Sequence, residues 1–296
     1  MPEAVEVGIQ GEQLKKMTSN KLIIGLNWDK NSKFSRKKIP GLDLVKLPLL
    51  VKNVFTRGKI IVFECSDSTS EKIYITSHLG MSGYYTKTKD KHSNFWFSFG
   101  IEIEIETKKK GLYQETFVLY FDDLRHFGNF TICHDLSAIW KKNGPCILST
   151  ALLKYGQIKK QNLHKYQTIA TREYWIQCLT KSRMKICDFL LDQKNIAGIG
   201  NYLRAEIMYL SKIHPERKTS SLSLTEKNTL YDNTLKTVYH SYISKVSNSS
   251  HTSSCGGHFR LCVYNQSEDP DGNPVTVYQS KGRNVHFSPA VQLLVN

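Results

Sequence analysis

Gln193-Lys194-Asn195-Ile196-Ala197-Gly198-Ile199-Gly200-Asn201-Tyr202-Leu203-Arg204-Ala205-Glu206-Ile207 is the stretch from which the fold can be read. Its glycines form a tight turn between two helices. Leu203, Ile207 and Leu210 then recur at helical spacing until His214-Pro215 stops the second helix. The first amides of that helix have no partner within it, so the turn can offer them to an anion such as a phosphate, with Asn201 as an additional donor. A glycine turn needed only for close helix packing is the plainer reading. A further helix opens with the capping box Ser223-x-x-Glu226 and carries Tyr231, Leu235, Val238 and Tyr242 on one face. An earlier helix is expected over 171–191.

Upstream of about residue 150 the period changes from helix to strand. Phe117, Leu119 and Phe121 alternate, as does Ile101-Glu102-Ile103-Glu104-Ile105. Lys59-Ile60-Ile61-Val62-Phe63 and Ile73-Tyr74-Ile75 read as two more strands. Ser66-Asp67-Ser68, Lys89-Asp90-Lys91 and Lys108-Lys109-Lys110-Gly111 read as exposed hairpin loops. Short strands at this spacing imply a sandwich or barrel, and one helix over 5–17 precedes them. Downstream, 247–257 is too polar and glycine-rich for a core and reads as a mobile loop. Segments 259–264 and 275–278 flank the turn signal Asp269-Pro270-Asp271-Gly272-Asn273-Pro274, and 284–287 completes a β-hairpin unit. The layout is α+β: a β domain over 1–145, a helical domain over 150–257 and a β appendage over 258–296.

With 296 residues, the chain has room for two modest domains, and 40% hydrophobic against 23% charged residues excludes wholesale disorder. No apolar run approaches the roughly 20 residues of a membrane span, and the start has no secretory pattern. Membrane and secreted classes are therefore set aside. A net charge of +15 favours polyanions, nucleic acid first and an anionic membrane second. A lysine-rich proteome is the plain alternative. Seven cysteines without a C-x-x-C pair suit a reducing, intracellular compartment and argue against a disulfide framework or zinc ribbon. The abundance of Lys, Asn and Ile fits an AT-rich genome, a viral one included.

Pro2 and Glu3 carry candidate chemistry. Once the initiator methionine is removed, Pro2 bears a secondary amine with a pKa near that of an α-amino group, about 7.7–8.0, far below a lysine's. Such an amine can attack a sugar C1′ and form an iminium, with Glu3 moving protons beside it. Taken alone, a Met-Pro-Glu start is as readily a chance occurrence.

Six motifs in order resemble the Fpg/Nei DNA glycosylases. They are Pro2-Glu3, Arg57-Gly58-Lys59, His78-Leu79-Gly80-Met81-Ser82-Gly83, Asp123-Leu124-Arg125-His126-Phe127-Gly128, Leu190-Leu191-Asp192-Gln193 and Ala197-Gly198-Ile199-Gly200-Asn201. Leu190-Leu191-Asp192-Gln193, followed by Gly200-Asn201-Tyr202-Leu203-Arg204-Ala205-Glu206-Ile207, looks most like the endonuclease VIII (Nei-like) branch. The resemblance spans essentially the whole chain. It implies an N-terminal β-sandwich, a helix–two-turn–helix domain and a β-hairpin finger.

The resemblance also implies roles. Pro2 is the nucleophile, Glu3 its acid/base partner and Glu6 a further glutamate of the same motif. Lys59 is directed at a phosphate beside the lesion. Met81, Arg125 and Phe127 enter the duplex, where a wedge is needed because extruding a nucleotide costs about a few kcal/mol of stacking. Without the resemblance, Met81 and Phe127 read as core residues. Asn201 and Arg283 contact phosphates. Cys187 stands where the formamidopyrimidine branch tends to carry a DNA-contacting lysine, and Ala4-Val5 replace the usual residues after Pro-Glu.

At the C-terminus, the family's four zinc-binding cysteine positions fall on Glu268, Asp271, Ser288 and Val291, which cannot supply the thiolates. The hairpin with Gly282-Arg283 is kept, so the resemblance implies a zincless finger and no metal or other cofactor. Cys255, His258, Cys262 and His286 form a rival ligand set.

The expected function is a monomeric bifunctional DNA glycosylase and AP lyase on damaged double-stranded DNA. Its expected substrates are oxidised pyrimidines, formamidopyrimidines and hydantoins, with intact 8-oxoguanine a poorer one. The competing class is a non-catalytic DNA binder, against which Pro2, Glu3 and Lys59 together argue. A preference for single-stranded or bubble DNA is a third option, against which the three wedge residues argue.

Overall fold

Alternating aromatic residues drive the first half of the chain into strands. The computed structural model describes residues 1–103, 112–247 and 259–294. It forms two units, Met1–Pro2 with Glu6–Ile139, and Glu3–Val5 with Trp140–Asn296.

In the first unit, α1 (Ala4–Thr18, from Glu6 onward) is followed by β1 (Leu22–Trp28), α2 (Lys33–Arg36), β2 (Leu49–Arg57), β3 (Ile60–Ser66) and β4 (Lys72–His78). Then come β5 (Tyr84–Thr86), β6 (Ser93–Ile103), β7 (Leu112–Asp122) and β8 (Asn129–Cys133). Neighbouring strands run antiparallel in the order β5-β7-β6-β1-β2-β3-β4-β8. The sheet curls over itself, because rings from strands far apart in that order meet. Phe95 and Phe121 lie 4.3 and 5.2 Å, centroid to centroid, from Phe130, and Phe63 lies 5.3 Å from Phe97. Two faces thus close on one aromatic core as a β-sandwich, joined by Val7 and Leu14 of α1.

The second unit is mainly helical. After α3 (Ser137–Trp140), at the division, come α4 (Ile147–Lys154), α5 (Arg172–Lys181), α6 (Ile186–Leu191), α7 (Asn201–Leu210) and α8 (Leu224–Ser247). Helices α4, α5 and α7 pack on α8, whose Tyr231, Leu235, Val238 and Tyr242 are buried as their spacing predicts. The capping box forms: the Ser223 N–H donates to Glu226 at 2.7 Å, and the Glu226 N–H donates to the Ser223 hydroxyl at 3.2 Å. A hairpin of β9 (Thr276–Ser280) and β10 (Arg283–Phe287) follows, and β10 packs on α7. No helix among the described residues is long and apolar enough to cross a membrane.

The structure corrects four readings of local pattern. The single helix expected over 171–191 is two, α5 and α6. Between them the chain is extended and bonds to a distant segment, with the Thr219 N–H donating to the Met184 carbonyl and the Ile186 N–H to the Arg217 carbonyl. Helix α7 stops at Leu210, before His214-Pro215, and Leu210 is exposed. Lys212 turns left-handed at φ 54°, and the buried Ile213 returns its N–H to the Met208 carbonyl. Segment 259–264 is not a strand: the N–H groups of Cys262, Val263 and Tyr264 all donate to the Glu206 carboxylate. Ile101, on the apolar side of the alternation, is half exposed near the end of β6, and Glu104 and Ile105 of that expected strand lie outside the described residues. The expected loop at Lys108–Gly111 and the polar stretch from 248 to 257 lie outside the described residues.

Candidate nucleic-acid interface and N-terminal site

In the first unit, the loops that follow β4 and β7 carry Met81, Arg125 and Phe127. The structure brings these three together. Gly80 has φ 66°, and a Cβ there would lie 2.6 Å from the backbone of Phe127 and Gly128, so the two loops touch backbone to backbone. The Arg125 guanidinium donates to the Met81 sulfur at 3.6 Å. Met81 is 39% and Phe127 55% exposed, so the reading of them as core residues fails. Leu124, which the sequence reading passed over, is 60% exposed on the same loop.

Beneath these tips lies a buried acid. Asp123 is 1% exposed, and its carboxylate accepts the Ser82 hydroxyl and the Gly128 N–H, both at 2.6 Å. The Ser82 oxygen in turn accepts the Arg125 N–H at 3.1 Å. Lys59 stands in the two-residue turn between β2 and β3, where Arg57 pairs with Ile60. Burial, then the Lys59 and Lys33 ammonium groups, holds the His78 imidazole below its usual range. Lys33 also donates to the Asn129 side chain at 3.0 Å. Pro2 and Glu6 belong to this unit, both half-buried, and Met1 is exposed.

In the second unit, the helix end expected to bind a phosphate already holds an anion of the chain. Glu3, 1% exposed, seats its carboxylate on three amides: Gly200 N–H at 2.6 Å, Tyr202 N–H at 2.9 Å and Leu203 N–H at 3.3 Å. The positive end of α7 favours a negative charge there, which is the physical reason for the correction. A Cβ on Gly200 would lie 2.3 Å from the Glu3 Cδ, so the seat requires glycine. The preceding turn is braced by the Ala4 N–H donating to the Gly198 carbonyl at 2.9 Å.

Asn201 begins α7 beside this seat and is half-buried. The buried Arg204, one turn on, donates to the Asn201 side-chain oxygen at 3.4 Å, to the Asn284 carbonyl at 2.8 Å and to the Cys187 carbonyl at 3.2 Å. It therefore ties Asn201 to the strand that starts with Arg283. Arg283 itself is exposed, directly after the tight turn Lys281-Gly282. Cys187 is fully buried, and burial pushes its thiol up, so that position presents no side chain to a ligand.

The finger is held by hydrogen bonds and packing. Asp269 Oδ1 accepts the N–H groups of Asp271 and Asn273 at 3.0 and 2.9 Å, and its Oδ2 accepts the Ser288 hydroxyl at 2.8 Å. Burial would raise this carboxyl, but the bonds from Asn273, Ser288 and Asp271 together hold it below the usual range. Val291, at one of the positions where the resemblance places a cysteine, packs against the apolar cluster of Ala205, Tyr209 and Val263. Of the rival metal set, Cys255 and His258 lie outside the described residues. The Cys262 thiol is pushed up to about 12 by burial and Glu206, and His286 is buried against Tyr264. Among the described residues, no three His, Cys, Asp or Glu side chains are grouped to hold a metal ion.

Asp123, Arg204, Glu206 and Asp269 are the organising residues that pattern reading missed. Glu206 left a signal: it lies one turn after Leu203, on the buried face of α7.

Residues 1–130 match the family model of the formamidopyrimidine-DNA glycosylase N-terminal domain, and residues 165–253 that of the formamidopyrimidine-DNA glycosylase H2TH domain. A formamidopyrimidine-DNA glycosylase of Mycoplasma pneumoniae is 30% identical over 235 residues, covering 79% of this chain and 75% of its own. One of Ligilactobacillus salivarius is 26% identical over 312 residues, covering 99% of each. Among solved structures, the Lactococcus lactis formamidopyrimidine-DNA glycosylase, bound non-covalently to DNA containing an AP site, superposes with a TM-score of 0.72 at 22% identity, covering 99% of this chain and 100% of its own. The Thermus thermophilus protein superposes with a TM-score of 0.75 at 21% identity over 98% of each chain. These superpositions show the shared fold. With both domain models matched in order and relatives aligned from end to end, the chain belongs to the formamidopyrimidine-DNA glycosylase family.

Proposed function

We propose that this protein is a DNA glycosylase of base excision repair that is also an AP lyase, acting on damaged double-stranded DNA. The observation that carries the reading is the Met81–Arg125–Phe127 group. Two exposed apolar side chains and a guanidinium, fixed on adjoining loops of a strongly basic chain, suit insertion where a nucleotide has been extruded. Phosphate contacts fall to Lys59 on one unit and to Asn201 and Arg283 on the other. The relatives are named for formamidopyrimidine, which supports that part of the substrate range; the oxidised pyrimidines and hydantoins rest on the likeness of 190–207 to the endonuclease VIII branch alone.

Removal of Met1 exposes the Pro2 amine. Its lone pair attacks C1′, and the base departs with the electrons of the glycosidic bond and takes up a proton; the Pro2 nitrogen then loses its proton and its lone pair expels O4′, which is protonated as the sugar ring opens to the iminium. The iminium acidifies the C2′ hydrogens. Loss of a C2′ proton expels the 3′ phosphate, a second elimination expels the 5′ phosphate, and water releases the enzyme. Glu3, anchored on three amides, is the acid/base partner that moves protons on the opened sugar. Glu6, in the first turn of α1, is the further glutamate of the same motif. The C-terminal hairpin acts as a zincless finger that delivers Arg283.

Borohydride trapping tests this, using duplexes with one abasic site, one formamidopyrimidine or one oxidised pyrimidine, followed by peptide mapping. A covalent adduct on Pro2 is expected, and Pro2→Gly should lower both base release and strand cleavage, on the order of a hundredfold or more. An adduct on a lysine would displace the nucleophile. Tight DNA binding without any adduct would leave a non-catalytic binder.

A further inference from the structure

We propose that Asp123 and Ser82 are positioning residues that lock the Met81 loop to the Arg125–Phe127 loop, and that this lock sets activity on duplex relative to single-stranded DNA. The inference rests on the glycosylase reading above. Nothing in that chemistry calls for a buried carboxylate beneath the wedge, yet Asp123 is 1% exposed and bonds to both loops. The Ser82 hydroxyl is wired in both directions, donating to Asp123 at 2.6 Å and accepting the Arg125 N–H at 3.1 Å. The hydroxyl thus adds a two-way link to the Gly80 backbone contact and the Arg125–Met81 bond that also join the loops.

The backbone between the wedge residues needs this support. His126, between Arg125 and Phe127, is a non-glycine residue at φ 56°, a left-handed conformation that persists only where its surroundings impose it. Its N–H donates to the Asp123 carbonyl at 3.2 Å. On the other side, the Asn129 side chain donates to the Phe127 carbonyl at 3.2 Å. A wedge entering a base stack gains from being ordered beforehand, because loops that move separately must be ordered at the moment of insertion. A single strand has no opposite base and no duplex stack to hold open, so the same lock matters little there.

The test uses one abasic-site oligonucleotide, cleaved as a single strand and as a duplex opposite each of the four bases, by the wild-type protein, Ser82→Ala and Asp123→Asn. Losing a hydrogen bond to a charged group should lower the duplex-to-single-strand rate ratio about tenfold in Ser82→Ala. The differences among the four opposite bases should shrink with it. If Asp123→Asn fails to fold, Ser82→Ala carries the test alone, since it removes only the hydroxyl. An unchanged ratio, or equal loss on both substrates, overturns the lock while leaving the glycosylase reading standing. A wild-type protein inert on both substrates overturns that reading and the lock together.

Discussion

The two units are held together by different physics. The first is a continuous antiparallel sheet closed on an aromatic cluster, with Phe130 touching Phe34, Phe95, Phe97 and Phe121. The second has short helices and irregular segments, and buried carboxylates gather the amides those segments leave open. Glu3 serves the start of α7, Glu206 serves 262–264, and Asp269 serves the finger. A sheet meets its own hydrogen-bonding demand, whereas irregular backbone must be supplied by side chains. Charge thus does through much of the second unit what strand pairing does in the sheet, and the first unit uses the same device at its loops, where Asp67 and Asp123 accept backbone N–H groups.

Four changes would break or sharpen that contrast, each read by amide hydrogen exchange resolved by unit unless stated otherwise. The largest effect is expected from Phe130→Ala, which should destabilise the first unit by about 3–5 kcal/mol through a cavity and leave exchange in α8 unchanged. Equal loosening of both units would contradict the contrast. Glu206→Gln should cost the second unit about 2–3 kcal/mol, because a neutral amide cannot accept all three N–H groups. Protection should be lost at Cys262, Val263 and Tyr264, with the β-sandwich intact.

The third change is acid. Because Asp269 is held below its ordinary range, its contribution is fully present above about pH 4. It fades as pH falls from there through the lower folded value, so the finger should open before the sandwich does. Asp269→Asn should remove this acid step, and an unaltered step would assign it elsewhere. The smallest effect is expected from Arg283→Ala, which should weaken DNA binding and lower the salt slope by about one phosphate contact without altering exchange in either unit. An unchanged slope would remove Arg283 from the interface.

The same contrast explains what could be read from sequence. Phe117, Leu119 and Phe121 announce a strand because burial repeats every second residue, so the sandwich was legible. The exposure of Met81 and Phe127 was not, since apolar residues are ordinarily inside; only the resemblance to a glycosylase family marked them as tips. The glycine turn at Gly198–Gly200 was legible as a turn, but its ligand was not. A carboxylate far away in sequence leaves no periodic trace. The break between α5 and α6 was hidden for the same reason, because its partner segment lies beyond α7.

The bond between the Gly200 amide and Glu3 joins residues 197 positions apart. Ribosomes add roughly 5–20 residues per second, so the carboxylate is made about 10–40 s before the amides that will hold it. The sandwich residues that hold Val7 and Leu14 of α1 are all made within that interval, so the helix can dock before the Glu3 carboxylate finds its seat. A chain trimmed by more than two residues would arrive without the ligand, and α7 would start with three amides unclaimed.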